Sequence, residues 1–245
     1  MSNQSINKKI DISFFVPCYN EEKNILNTFN TLITAVSNFN FNFEIICVDD
    51  SSSDSSVNII ENFIKTNKNI NIQLIKNIKN KGLGTNYVDT AFIASGENYM
   101  LINGDNAEPK ETIVNILNKI NNADIIIPYF KNYDNRSFIR TVISKLFTFL
   151  VNAITGNKIP YYNGPVIHKT FNVMRYHADT CGYAYQAELI TRTLVENKTY
   201  ITVQIENNDR LEGSSSAFRI RNILSVIHSL LQITLKRLRQ VLFKL

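Results

Sequence analysis

Four times in succession, a short β-rich run in this chain of 245 residues stops at a polar cluster and gives way to a segment of helical character. The runs are Ile10 to Val16, Phe43 to Val48, Ile70 to Lys76 and Tyr99 to Ile102. The intervening stretches, Glu21 to about Asn38, Ser55 to Thr66 and Asn86 to Ser95, read as helices; in the first, Ile25, Leu26, Phe29, Leu32, Ile33 and Val36 recur at helical spacing. Few folds accept such alternation. It builds a parallel sheet covered by helices on both faces, and the unbroken apolar character of Phe43 to Val48 suits a strand buried on both sides. Ligands of an open sheet of this kind bind just beyond the carboxyl ends of its strands, so the polar clusters converge on one edge.

The pattern continues with a helix from Pro109 to about Ile120 and a strand from Asp124 to Tyr129. Arg136 to Gly156 then reads as a helix rich in Phe, Leu, Ile and Val that holds Arg136, Arg140 and Lys145 but no acid. Two readings stay open: a core helix whose cations snorkel to water, or a helix lying in a membrane interface. Tyr161 to Pro165 is a turn before a short strand, Gly182 to Leu189 leads into another helix, and Thr199 to Ile205 alternates as a strand. A polar loop, Asn207 to Ser216, precedes a basic tail. The expected organisation is an α/β body over residues 1–218 and an amphipathic basic tail over 219–245.

Composition matters for the partner. Hydrophobic residues at 44% and charged residues at 19% fit an ordinary globular protein and exclude a disordered one. The net charge of +5 comes from the tail, where Arg219, Arg221, Lys236, Arg237, Arg239 and Lys244 follow Gly213 without a single acid. That asymmetry points to an anionic surface. Ile220, Ile223, Leu224, Ile227, Leu230, Leu231, Leu235, Leu238 and Leu242 lie among those cations at helical spacing, as in an interfacial helix drawn to anionic lipid. A dimerisation helix, or one that meets a separate membrane protein, is the competing reading. Nucleic acid is disfavoured, because the cations lack a stacking aromatic platform. Cys18, Cys47 and Cys181 show no metal-like spacing and read as buried thiols of a reducing compartment. The polar first residues do not read as a signal peptide, and no uncharged apolar run approaches the roughly 20 residues that a spanning helix requires. The expected location is cytoplasmic, peripheral to the cytoplasmic face of a membrane.

The shared edge would gather Asp49 and Asp50, Lys81 with the backbone amides of a glycine turn, and Asp105. Carboxylates beside a lysine and a glycine turn suit a hard divalent cation, Mg²⁺ or Mn²⁺, holding a diphosphate. Helix capping is the competing role for each of these aspartates. Gly82-Leu83-Gly84 lacks the spacing of a dinucleotide fingerprint or a P-loop. His168, His177 and His228 show no ligand spacing, and no serine sits in a nucleophile elbow.

Phe15-Val16-Pro17-Cys18-Tyr19-Asn20-Glu21-Glu22, Val48-Asp49-Asp50-Ser51-Ser52-Ser53-Asp54 and Lys81-Gly82-Leu83-Gly84-Thr85 resemble the successive donor-site motifs of family 2 glycosyltransferases with the GT-A fold. The likeness is greatest to the dolichol-phosphate mannosyltransferase and polyprenyl-phosphate glycosyltransferase branch. It continues through Tyr185-Gln186-Ala187-Glu188-Leu189 and Arg210-Leu211-Glu212-Gly213-Ser214-Ser215, covering roughly residues 10 to 220 in order. The resemblance implies an inverting transferase that moves a sugar from a UDP- or GDP-sugar to a polyprenyl phosphate. Pro17, Tyr19 and Glu21 would line the base and ribose pocket, with Asp49 or Asp50 facing the nucleoside. Asp105 would hold the metal, Arg210 would meet the diphosphate or the acceptor phosphate, and Gln186 and Glu188 would lie near the sugar or acceptor. Arg136 and Arg140 are candidate acceptor or membrane contacts. The family's Asp-x-Asp metal motif is Asn103-Gly104-Asp105 here, with Ala107 where a further polar ligand often stands. Asn103 would donate a carbonyl oxygen, with Asn106 or Glu108 as substitutes. A transferase acting on a saccharide or protein, and a non-catalytic nucleotide-sugar-binding module that recruits a membrane partner, are the alternatives.

Overall fold

The computed structural model describes residues 9–130, 138–180, 182, 184–206 and 220–243. Strands β1 (Ile12–Cys18), β2 (Phe43–Asp49), β3 (Ile72–Lys76) and β4 (Asn98–Leu101) alternate with helices α1 (Ile25–Val36), α2 (Ser56–Thr66) and α3 (Leu83–Ala91). Then come α4 (Lys110–Leu117), β5 (Ile125–Phe130), α5 (Phe138–Thr155), β6 (Ile167–Lys169), α6 (Thr170–Arg175), α7 (Tyr185–Val195), β7 (Tyr200–Ile205) and α8 (Ile220–Phe243). These strands form one sheet in the order β3-β2-β1-β4-β6-β5-β7. Only β6 runs against the rest, pairing antiparallel with β4 and β5. The mostly parallel α/β architecture expected from the alternation is the one observed.

Period-two alternation assigns the two faces. Ile12, Phe14, Val16 and Cys18 of β1 point into one core with α1, α2 and α4, while Phe15 points to the opposite core with Tyr87, Tyr99 and Tyr185. A third cluster joins Phe147 and Val151 of α5, Ala187 and Ile190 of α7 and Ile233 of α8 to Ile125 and Ile127 of β5. Helix α7 therefore faces two cores, which is why nearly all of its first two turns are buried. Helix α8 packs on α5 and α7; Ser229, inside that contact, donates to Thr180 Oγ1 at 2.7 Å. Cys18 and Cys47 are buried free thiols, and burial pushes Cys18 up to about 11. Cys181 lies outside the described residues.

Strand order fixes where a ligand belongs. After β3 the chain crosses back over β2 and β1 to lay down β4, so the connections leave β1 and β4 in opposite directions. The crevice at such a switch point is the preferred binding place in an open α/β sheet. The segments after β1 and after β4 flank it.

Candidate active site at the carboxyl edge of the sheet

The loops after β1 and β2 are knitted together. Asn20, in the left-handed region at φ 56°, donates its N–H to Ser52 Oγ (2.9 Å) and accepts from the Ser53 N–H at Oδ1 (2.8 Å). An asparagine tolerates that backbone better than most residues. The Glu22 N–H reaches Asp54 Oδ2 at 3.0 Å, and the Ser55 N–H returns to Glu22 Oε2 at 2.9 Å. The serine-rich run thus fastens the β1 loop, leaving Tyr19 half exposed at its rim. Glu21 accepts from Asn24 Nδ2 at 2.9 Å. Pro17 sits on β1 opposite Val48.

The neighbouring aspartates do different things. Asp49 is buried at the end of β2; its Oδ2 accepts from the Ser52 N–H at 3.1 Å, while its buried Oδ1 has no hydrogen-bond partner among the described residues. Asp50 is saturated. Its Oδ1 accepts from the Lys81 N–H and from Asn77 Nδ2, each at 2.8 Å, and its Oδ2 from the Gly82 N–H at 2.9 Å. Burial acts to raise its pKa, but the hydrogen bonds from Asn86, Lys81, Asn77 and Gly82 outweigh it and hold the carboxyl below its ordinary value. Gly82, at φ 88°, makes the turn that presents these amides. Lys81 Nζ lies 3.0 Å from Asp89, a partly exposed pair at the rim of the loop.

Across the crevice, the chain after β4 presses against β1. A Cβ on Gly104 would meet Pro17 O at 2.3 Å, and Thr28 Oγ1 donates to Gly104 O at 2.9 Å. Asp105 Oδ1 accepts from the Ala107 N–H at 3.2 Å. Asn103 is clasped by Glu108: its Nδ2 donates to Oε1 at 2.6 Å and its backbone N–H to Oε2 at 3.2 Å. Glu108 is only 6% exposed. Burial first, then the adjacent Asp105 charge, push it up to about 7 against the opposing pull of the Asn103 bonds.

These groups suit a magnesium or manganese ion in a limited way. Among the described residues, no three His, Cys, Asp or Glu side chains come together as a metal cluster. What the β4 end offers is hard oxygen: the Asp105 carboxylate and Asn103 Oδ1, the atom left over when the amide nitrogen is committed to Glu108. One carboxylate and one carbonyl suffice for an ion that completes its shell with phosphates and water.

Gln186 and Glu188 are held by other groups of the protein. Both are buried on α7: Gln186 Oε1 lies 3.1 Å from His168 Nε2, and Glu188 accepts from Thr180 Oγ1 at 2.7 Å and pairs with Arg192. Their polar atoms are taken up by protein partners. Burial pushes His168 down to about 4. The side chains of Arg136, Arg140 and Arg210 lie outside the described residues. Sequence reasoning gave no hint of Asn77, Asn86 or Arg192, which are single polar letters that belong to no motif.

The family model for Glycosyl transferase family 2 matches residues 13–182, from β1 through β6 and α6 to the approach of α7. The chain belongs to that family. It is 30% identical over 160 residues to the dolichol-phosphate mannosyltransferase of Pyrococcus furiosus, covering 63% of this chain and 44% of that protein. It is 22% identical over 242 residues to the undecaprenyl-phosphate 4-deoxy-4-formamido-L-arabinose transferase of Salmonella choleraesuis, covering 94% and 70%. The chain spans about half the length or less of several curated relatives it matches. Among solved structures, the glucosyl-3-phosphoglycerate synthase of Mycobacterium tuberculosis, crystallised with Mn²⁺, UDP and phosphoglyceric acid, superposes at a TM-score of 0.64 and 12% identity over 93% of this chain and 78% of that one. That likeness shows the fold, which is GT-A as the motifs implied.

Proposed function

We propose that this chain transfers a sugar, with inversion, from a UDP- or GDP-sugar to a polyprenyl phosphate at the cytoplasmic face of a membrane. Pro17, Tyr19, Glu21 and Asp49 hold the nucleoside, with Tyr19 exposed at the rim. Asp50 acts one step back, keeping the amides of Lys81 and Gly82 in place at the diphosphate end. Asp105 and Asn103 hold Mg²⁺ or Mn²⁺, which when bound neutralises the charge growing on the departing diphosphate. Lys81 and Arg210 add cationic charge on the same leaving group. The nucleophile is a phosphate oxygen. A phosphate monoester, with a second pKa of about 6, is largely ionised at neutral pH, so no strong general base is required. Gln186 and Glu188 set the position of α7 beneath the acceptor side rather than reacting themselves.

One observation favours a lipid acceptor. Helices α5 and α8 pack together, each follows a strand that ends at the donor edge, and both expose apolar stripes: Val142, Leu146 and Phe149 on one, and Leu224, Ile227, Leu231, Leu235 and Leu238 on the other. Neither helix contains an acid, and cations accompany both stripes. Such a surface fits the interface of an anionic membrane, while among the described residues no helix is long and apolar enough to cross one. Arg136 and Arg140, close to the start of α5 in the sequence, are assigned to the acceptor phosphate or the membrane surface. A soluble acceptor is the second reading, favoured by the phosphoglyceric acid bound to the mycobacterial structural neighbour.

Thermal unfolding with UDP- and GDP-sugars, each with and without Mn²⁺, tests the donor half. One nucleotide series is expected to stabilise the chain in a metal-dependent way, by about 2.7 kcal/mol at 100 times the dissociation constant. No stabilisation by either series contradicts the donor site. Flotation with anionic vesicles tests the membrane half, and a chain that stays at the bottom of the gradient contradicts it.

A further inference from the structure

The proposed metal station contains an amide where a carboxylate would be the simpler choice, and an amide brings a hazard. Its two ends have nearly the same shape but opposite polarity. A half-turn about χ2 would aim the NH₂ group at a cation and weaken binding. Something must decide which end faces outward. The only carboxylate hydrogen-bonded to Asn103 among the described residues is that of Glu108, and it makes two contacts: Oε1 accepts from Nδ2 at 2.6 Å, and Oε2 accepts from the Asn103 backbone N–H at 3.2 Å. Both Glu108 oxygens accept from Asn103 donors, so the grip holds the nitrogen inward and leaves Oδ1 as the amide's other face. Glu108 is itself fixed. It is 6% exposed and precedes Pro109, the N-cap of α4, whose ring favours an extended backbone at the residue before it.

We infer that Glu108 is the positioning residue of this station: it orients and polarises the Asn103 amide so that an Asn-Gly-Asp sequence can bind a divalent cation with its nucleotide diphosphate. The inference rests on the donor reading above. It moves the second carboxylate of the site from the strand end to the turn before α4, where it acts through Asn103 instead of touching the metal. Groups that orient a ligand from behind typically account for about 10–100-fold in metal affinity. The exchange also makes a reciprocal prediction. Putting Asp at 103 while Glu108 remains would set two carboxylates face to face, so N103D alone should not repair the motif. N103D combined with E108Q should, because the glutamine can then donate to the new aspartate.

The test is Mn²⁺ binding to the full chain, read from the free-ion electron paramagnetic resonance signal with UDP or GDP present, for wild type, E108Q, E108D, N103D and N103D/E108Q. Metal-free nucleotide affinity and thermal midpoint are measured in parallel. E108Q and E108D are expected to weaken Mn²⁺ binding by about 10–100-fold, with metal-free nucleotide affinity unchanged; N103D is expected to bind no better than wild type, and the double variant to recover wild-type affinity. The inference is overturned if E108Q and E108D, or the double variant where those fail to fold, show that affinity does not depend on the 103–108 pair. A wild type that binds no Mn²⁺ with either nucleotide overturns the donor reading and this inference together.

Discussion

The two surfaces proposed to work on donor and acceptor are built on opposite principles. At the donor edge almost every polar atom is committed: Asp50 grips two amides and an asparagine, Asn20 and Glu22 are locked to the serine loop, and Glu108 holds Asn103. On α5 and α8 many of the exposed side chains are apolar, so their contribution depends on pattern rather than on individual geometry. A diphosphate demands fixed donors within a few tenths of an ångström. A membrane surface demands only apolar area and positive charge. Single substitutions should therefore be costly on the first surface and mild on the second.

The largest effect is expected at Asp105. Asp105→Ala should lower sugar transfer by about 10²–10³-fold while leaving the thermal midpoint within a few degrees, read by steady-state turnover under saturating Mn²⁺. Unchanged turnover would remove the metal station from the account. The next prediction concerns pH. His168 has its pKa lowered by burial from 6.5 to about 4, so in that window the unfolded chain binds a proton that the folded chain does not. Stability is fully present above 6.5 and falls as pH drops through the window, by about 3 kcal/mol in all. Glu108, with a raised pKa, contributes in the opposite sense between 4.5 and about 7. The quantity to read is thus the difference between wild type and His168→Gln in denaturant melts at pH 4.5 and 7, and parallel curves would refute the buried neutral imidazole.

Asp50→Asn should cost about 2 kcal/mol, since an amide cannot accept from all of its donors and leaves a buried N–H unmatched. The same variant should weaken nucleotide binding, because the glycine turn loses its anchor; a destabilised protein with wild-type affinity would separate the loop from the site. The smallest effect belongs to the other surface. Arg239→Gln is expected to weaken binding to anionic vesicles about fivefold, near 1 kcal/mol per cation, with stability inside the ±0.5 kcal/mol usual for surface changes.

Much of this fold was legible because two periodicities and their stops are local. Each of the first four strands ends within two residues of where its apolar run ends, with β1 continuing through Pro17 to Cys18, and the strand-end clusters do share one edge. The direction of β6 was not legible, since three residues carry no orientation in their letters. Nor was the division of labour between Asp49 and Asp50: adjacent residues at a strand end differ only in which distant groups they meet, and the partners of Asp50 lie 27 to 32 positions away. Gln186 and Glu188 were expected near the sugar or acceptor from a motif resemblance, and a motif does not show which protein groups its polar side chains meet. Here α7 lies between two cores, and His168, Thr180 and Arg192 absorb them. The tail's apolar pattern was legible, but its docking through Ser229 and Ile233 was not.

The central claim is that a donor edge and a membrane-facing helix pair serve one reaction. Its most direct test is to incubate the full chain with labelled UDP- or GDP-sugar, Mn²⁺ and polyprenyl phosphate in anionic vesicles, then partition the product between organic solvent and water. Label in the organic phase that disappears with Asp105→Ala is the result expected. Label confined to the aqueous phase, or organic label indifferent to Asp105, would contradict it.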